Sequence, residues 1–576
     1  MSSTEFPFSI LNREEHIEKL KNETFDLVVI GGGATGAGIA LDASARGLKT
    51  ALVEMRDFAS GTSSKSTKLI HGGLRYLKQL DIGLVRETGT ERAIVHRLAP
   101  HLVLPEKMLM PLIKGGTYGK WATSFGLMVY DILAGVKGDD RRKMLSKKQT
   151  LALEPLLGEN GLKGGGYYAE YRTDDARLTI ELLKTAATHG ATALNYCKVK
   201  DFTYANEVVN GVICRDENNG NDFSIKAKMV VSAGGPWVDR IRKKDGVVTG
   251  KRLHLTKGIH VVFSHEKLPL QHTTYFDGPD GRMIFAVPRG RATYVGTTDT
   301  NYTGNLNRVV CTKDDAAYCL AAVHHAFPSV KVSEEDIISN WAGLRPLIHE
   351  EGKSASELSR KDEIFVSEKG LISIAGGKLT GYRKMGQRIV DLVLKKMEGV
   401  TKKSFKKCNT RKIPLTPKPL ADYKAVEKYI KKLEEIVEFK GLDKYYAGYL
   451  TTNYGTQADL ILLKMIEFSD VPEVSLARAE AWFGMHYEMV SSAEDFFVRR
   501  TGRLYFDIKS IAVIREKVME DLKKTLEWNE ERTALENKKM DELIFDATHY
   551  YDKELTASLT EDRSVAALSD RGQTDD

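Results

Sequence analysis

The chain has 576 residues, 42% apolar and 28% charged, a composition that suits about two to four folded units and excludes a mostly disordered protein. Its 85 Lys and Arg exceed its 78 Asp and Glu by only +7, too small an excess to suggest a nucleic-acid partner. The five cysteines (Cys197, Cys214, Cys311, Cys319 and Cys408) form no C-x-x-C pair, so neither a disulfide framework nor a structural zinc site is expected.

Residues 1–24 read as a helical extension. They carry acids and no apolar run, so no signal or transit peptide is expected. Asp26-Leu27-Val28-Val29-Ile30 then has the unbroken apolar character of a buried parallel strand. Gly31, Gly33 and Gly36 follow in the order G-x-G-x-x-G, a helical stretch runs to Gly47, and a second strand at 50–53 ends in Glu54. This is a β-α-β unit for a dinucleotide. The glycines allow a tight turn and close approach of a pyrophosphate to the helix start, and the acid can accept hydrogen bonds from ribose hydroxyls.

Residues 108–113 and 121–136 are apolar, and each reads either as a peripheral membrane contact or as core of the substrate domain. The second is the longest such stretch, yet it contains Asp131 and falls short of the ~20 residues that span a bilayer. Period-2 patterns at 195–215, 254–263 and 283–298 predict an antiparallel sheet, with Asn210-Gly211 as one hairpin turn. Asp216-Glu217-Asn218-Asn219-Gly220 resembles a calcium loop, but its glycine falls one position early and no Glu closes it. It reads as a turn, and no metal is expected.

Two parallel-type strands, at 229–232 and 371–374, each run into a Gly-Gly pair. The first pair is Gly234-Gly235. The second is Gly376-Gly377, followed by Lys378, Leu379 and Thr380 at a helix start. Helix-end N–H groups there suit the negative charge of a reduced flavin, so FAD is favoured over a nicotinamide. After Pro414, helical spacing dominates, at 423–439 and 514–538 for example. The predicted fold is α/β. A Rossmann-like FAD-binding domain is interleaved with an antiparallel-sheet substrate domain over 25–412, a helical domain follows over 413–555, and 556–576 form a disordered tail.

Residues 62–76 read Thr-Ser-Ser-Lys-Ser-Thr-Lys-Leu-Ile-His-Gly-Gly-Leu-Arg-Tyr. Small hydroxyl residues and paired glycines permit close approach to a flat ligand, and Arg75 and Tyr76 add donors for an anion. Further on come Lys257-Gly258-Ile259-His260, Gly343-Leu344-Arg345-Pro346-Leu347 and Gly376-Gly377-Lys378-Leu379-Thr380-Gly381-Tyr382-Arg383. In this co-linear set the chain resembles the FAD-dependent, quinone-linked glycerol-3-phosphate dehydrogenase family. Glu494-Asp495-Phe496-Phe497-Val498-Arg499-Arg500-Thr501 resembles that family's C-terminal region.

The resemblance implies a substrate pocket of Arg75, Tyr76, His260, Arg345, Arg360 and Lys378. It implies FAD contacts at Gly31, Gly33, Gly36, Glu54, Thr62, Ser63, Ser64, Lys68, Leu69, His71, Gly72, Gly73, Gly234, Gly376, Gly377, Lys378, Leu379 and Thr380. The implied reaction is oxidation of sn-glycerol 3-phosphate to dihydroxyacetone phosphate. His260 is the first choice of base, Lys378 and Arg345 bind the oxygen as it gains negative character, and Arg75 and Arg360 help hold the phosphate. Electrons pass to a membrane quinone from a cytoplasmic enzyme held peripherally on the inner face of the cell membrane. A homodimer is compatible with the chain.

Three alternatives stand beside this reading: a glycerophosphate oxidase using oxygen, an amine or amino-acid oxidase, and a flavin-bearing binding protein. Some oxidases of this type carry an insertion between G-x-R-P-L and G-G-K-L-T. Here Arg345 and Lys378 are 33 positions apart, which leaves no room for one and favours the dehydrogenase.

Overall fold

The protein is described by a computed structural model over residues 6–70, 82–117, 141–246, 251–349, 362–398 and 403–553, with residue 556. The apolar run at Thr24–Ile30 forms the strand expected of it, buried from its second residue onward. It lies centrally in an eight-stranded sheet, parallel to Thr50–Val53 on one side and to Asp222–Ser232 on the other. Thr192–Leu194 extends the first side. Ile372–Gly376, parallel, and Asp362–Val366, antiparallel, extend the second.

The chain leaves the central strand to one side through the Ala34–Arg46 helix and returns much later on the other. The carboxyl end of Thr24–Ile30 is therefore a topological switch point, where doubly wound sheets bind ligands. The Gly31–Gly36 turn sits there. The N-terminal helix, Arg13–Asn22, buries Ile17 and Leu20. Its Arg13 pairs with Asp216 at 2.6 Å, which fixes the turn that superficially resembled a calcium loop.

A second, ten-stranded sheet is mostly antiparallel. Its Leu253–Ser264 strand is flanked by Ala292–Gly296 and Ile337–Ile348. The patterns at 254–263 and 283–298 belong here as expected. The 195–215 pattern does not. Cys197–Ala205 and Val208–Asp216 form a hairpin that joins Asp222–Ser232 in the first sheet. Its turn is Asn206-Glu207, both at positive φ, and not Asn210-Gly211. Gly211 lies inside the strand, and it is glycine because a Cβ there would stand 2.3 Å from the Ile225 carbonyl oxygen.

Residues 108–113 are a core strand and not a membrane-facing segment. Met108, Leu109 and Met110 are fully buried within Leu104–Ile113. The stretch at 121–136 lies outside the described residues. No helix among the described residues is long and apolar enough to cross a membrane.

The C-terminal unit is helical. Tyr423–Phe439 has the predicted limits, whereas the periodic stretch 514–538 is two helices, Ile508–Thr525 and Glu530–Thr548. The break has a cause: Trp528 turns into the core, and the Asn529 side chain caps the second helix by accepting the Arg532 N–H. Phe496, Phe497, Ile511, Ile514, Val518 and Leu522 belong to the same apolar cluster as the central strand, so the helical unit shares the core of the first sheet.

Candidate active site

The glycine turn has the close backbone packing that a pyrophosphate needs. A Cβ on Gly36 would stand 1.9 Å from the Gly31 carbonyl oxygen, and one on Gly31, at φ +111°, would stand 2.6 Å from the Ala233 oxygen. Neither position accepts a side chain. Gly33, in extended backbone, starts the Ala34–Arg46 helix, whose N-terminal N–H groups favour negative charge. The Ser63 hydroxyl accepts the Ala34 N–H at 3.0 Å, which brings the 62–64 segment to the same place.

Glu54 is buried at the end of the neighbouring strand and accepts the Gly32 N–H at 2.7 Å and the Arg56 N–H at 3.1 Å. Burial pushes its carboxyl up despite these two donors. Together these residues fit the adenosine diphosphate half of FAD. Gly36→Ala is therefore expected to yield protein without flavin absorbance, while the cofactor released from the parent chromatographs as FAD and not FMN.

The other half of the site forms where two sequence motifs become neighbours. In the second sheet Gly258 pairs with Gly343, His260 with Trp341 and Thr256 with Arg345. Side chains two apart on a strand share a face, so His260 and Arg345 stand on one face with two glycines between them. Gly343 is a steric necessity, and Gly258 leaves the Arg345 guanidinium the room it occupies. A Cβ on Gly258 would lie 2.2 Å from the Arg345 guanidinium, and one on Gly343 would lie 2.6 Å from the Lys65 carbonyl oxygen.

Arg345 donates to the Thr298 carbonyl at 2.9 Å, the Thr297 hydroxyl at 2.7 Å and Asp299 at 3.2 Å. His260 is 1% exposed and stacks on Trp341 at 4.6 Å between ring centres. Its Nε2 lies 3.0 Å from the Thr67 hydroxyl. Burial, and after it the charges of Arg345 and Lys68, holds the imidazole well below its usual range, so His260 is neutral at neutral pH. Residues 62–67 cross this face: Thr62 donates to the Leu344 carbonyl at 2.7 Å, and Thr67 contacts His260. The 62–67 string thus lies against the second sheet.

The third element also falls where expected. The Ile372–Gly376 strand ends in Gly376 and Gly377, both at positive φ. Lys378 is extended, and Leu379–Gly381 leads into the Tyr382–Met397 helix. Gly234 likewise ends its strand, and a Cβ there would stand 2.5 Å from Ile241.

Other expected contacts turn inward. The Lys68 ammonium is bonded to the Asp175 carboxylate and to the Ser64 carbonyl at 3.1 Å, with Asp174 at 3.6 Å, so its charge is spent inside the protein. Leu69 is a core residue, paired through its backbone with Arg172. Ser64 is buried. His71, Gly72, Gly73, Arg75, Tyr76 and Arg360 lie outside the described residues. The sequence reading missed Thr67, Trp341 and the Thr297–Asp299 cradle of Arg345. The only available signal for the cradle is a Thr-Thr-Asp run placed directly after a strand.

Fold and site together define an FAD-dependent oxidoreductase. Residues 26–383 match the FAD dependent oxidoreductase family, and residues 408–533 match the C-terminal domain of alpha-glycerophosphate oxidase. The chain is similar to the aerobic glycerol-3-phosphate dehydrogenase of Staphylococcus aureus, being 49% identical over 542 residues that cover 93% of this chain and 97% of that protein. It is also similar to the X-ray structure of the glycerol-3-phosphate dehydrogenase from Bacillus halodurans complexed with FAD, with a TM-score of 0.80 and 41% identity over 94% of this chain and 99% of that one. With the L-alpha-glycerophosphate oxidase of Mycoplasma pneumoniae it shares the fold alone, with a TM-score of 0.54 and 19% identity over 70% and 98% of the two chains. The chain belongs to the FAD-dependent glycerol-3-phosphate dehydrogenase family.

Proposed function

We propose that this enzyme oxidises sn-glycerol 3-phosphate to dihydroxyacetone phosphate and delivers the electrons to a membrane quinone from a peripheral position on the inner face of the cell membrane. The observation that carries the reading is the shared face of His260 and Arg345, crossed by the same 62–67 segment that reaches the dinucleotide turn. FAD, when bound, supplies the acceptor for the C2 hydride.

The protein's own groups do the rest. In the tautomer that donates its Nε2–H to the Thr67 hydroxyl, the His260 Nδ1 is the lone pair left to take the C2 hydroxyl proton. Its neutrality means that this base needs no prior deprotonation. Arg345, held in place by Thr297, Thr298 and Asp299, binds the oxygen as charge develops, and Lys378 joins it from the end of the Ile372–Gly376 strand. Arg75, Tyr76 and Arg360 complete the anion pocket in this reading, because a dianionic phosphate calls for more than one cationic donor.

Mixing the anaerobic enzyme with glycerol 3-phosphate tests the reaction, since a flavin that stays oxidised excludes it. Bleaching by an amino acid instead would point to an amino-acid oxidase.

The membrane part has its own prediction. With 108–113 assigned to the core, the exposed basic segment holding Lys403, Lys406, Lys407, Arg411 and Lys412 is a contact that the described residues offer. Such a patch attracts anionic lipid. Flotation with anionic vesicles at low salt and partial release at high salt are expected. A protein that ignores vesicles and turns over faster with oxygen than with a soluble quinone would instead be an oxidase.

A further inference from the structure

The segment 54–60 grips the dinucleotide turn at one residue. Glu54 accepts the Gly32 N–H at 2.7 Å, and Ala59 donates its own N–H to the Gly32 carbonyl at 3.0 Å. A Cβ on Gly32 would stand 2.6 Å from the Phe58 ring. Both polar groups of Gly32 and its open side are therefore held by the same short stretch.

That stretch is in turn held from the far end of the chain. Asp57 is fully buried. Its Oδ2 accepts from Arg499 Nε at 2.5 Å and Arg500 Nη1 at 2.8 Å, and its Oδ1 accepts from Arg500 Nη2 at 2.9 Å and Asn195 Nδ2 at 3.2 Å. The two arginines lie on the wholly buried π-helical turn Asp495–Arg500. Asp495 accepts from Arg499 at 2.9 Å and from the Tyr196 hydroxyl at 2.6 Å, and Arg500 also donates to the Glu488 carbonyl at 2.8 Å. Burial by itself would raise the Asp57 carboxyl, but Arg500 and Arg499 outweigh it and hold the group ionised.

Buried ion networks give little net stability compared with apolar packing of the same volume, whereas removing one partner is strongly destabilising. Short π-helical turns also tend to occur where function demands a particular side-chain placement. None of the bonds above involves His260, Arg345 or Lys378, so the motif at 494–501 has another task.

We propose that Asp57, Arg499 and Arg500 are positioning residues: through them the C-terminal helical unit clamps the Gly32 turn in its FAD-binding shape, so FAD binding and docking of that unit are coupled. Coupling of this kind is reciprocal, and whatever factor docking adds to FAD affinity, FAD adds to docking.

The test uses the full-length enzyme with FAD as the probe. Asp57→Asn preserves the shape of the side chain and removes its charge. It should weaken FAD binding by about 5- to 150-fold, the usual span of coupling between sites. Hydrogen exchange should rise at 31–36 and at 495–500 together. In the parent, adding FAD to apoprotein should slow exchange at 495–500. Arg500→Met should act in the same direction and Arg500→Lys should recover part of the loss.

Arg503→Met is the control, because Arg503 is equally buried but bonds Glu480 at 2.7 Å within the helical unit. It should lower the melting temperature and leave FAD affinity within about twofold, well under the coupling range. Parent-like FAD affinity in Asp57→Asn would overturn the proposal. So would an equal loss of FAD in Arg503→Met, which would reduce the network to general stability. If Arg500→Met does not fold, Asp57→Asn and the FAD-dependent exchange in the parent decide the matter.

Discussion

His260→Asn should slow reduction of the enzyme by glycerol 3-phosphate by about 10²–10⁴, the usual contribution of a general base, with a smaller change in substrate affinity. The asparagine side chain keeps a polar group near Thr67 but has no lone pair basic enough to take a proton. The sign of the pH dependence follows from the direction of the shift. Burial and two neighbouring cations hold the imidazole well below its ordinary range, so it is the free base through neutral pH and protonates only in acid. The parent rate should therefore be flat around neutrality and fall on the acid side, and the variant should lack that acid limb. Single-turnover reduction measured across pH checks both points. An acid limb that survives the substitution would move proton abstraction to another group, with Lys378 the first to examine.

The parts of this site that were legible in the sequence are those where local sterics leave one option. Gly31 and Gly36 cannot carry side chains because each faces a carbonyl oxygen at contact distance, and a strand, a helix and Glu54 surround them at fixed intervals. The strand-to-helix turn at Gly376–Gly377 is of the same kind. What stayed hidden was long-range.

Nothing in the spacing of residues 257–260 and 343–347 says that their strands pair, yet this pairing puts His260 and Arg345 on one face. Asn210-Gly211 misled because a strong local turn signal competed with a tertiary reason for the glycine, the close approach of the Asp222–Ser232 strand. The apolar run at 108–113 could belong to a core or to a membrane contact until its strand neighbours were known. Asp57 and Arg500 are 443 positions apart, and each alone reads as an ordinary surface charge.

Arg345→Met should weaken substrate binding and slow reduction together, by about tenfold to a hundredfold. One hydrogen bond to a charged group contributes roughly 1.5–3 kcal/mol, and about 1.4 kcal/mol is a factor of ten. Two features make the loss specific. The guanidinium is fixed by three protein acceptors, so the parent has already met most of the entropic cost of orienting it. Its removal also leaves the Asp299 carboxylate facing an anionic substrate with no intervening cation, so repulsion adds to the lost attraction. Arg345→Met combined with Asp299→Asn should therefore bind substrate better than Arg345→Met alone, without regaining its rate. FAD content should stay near normal in both, because Gly31, Gly33, Gly36 and Glu54 lie at the strand ends of the other sheet. Titration with glycerol 3-phosphate and with glycerol separates the contributions. The parent should strongly prefer the phosphate ester, and the single variant should keep most of that preference while losing rate with both substrates, because Arg345 serves the C2 oxygen and Arg75 and Arg360 the phosphate. A parent enzyme that oxidised glycerol equally well would show that no phosphate clamp exists.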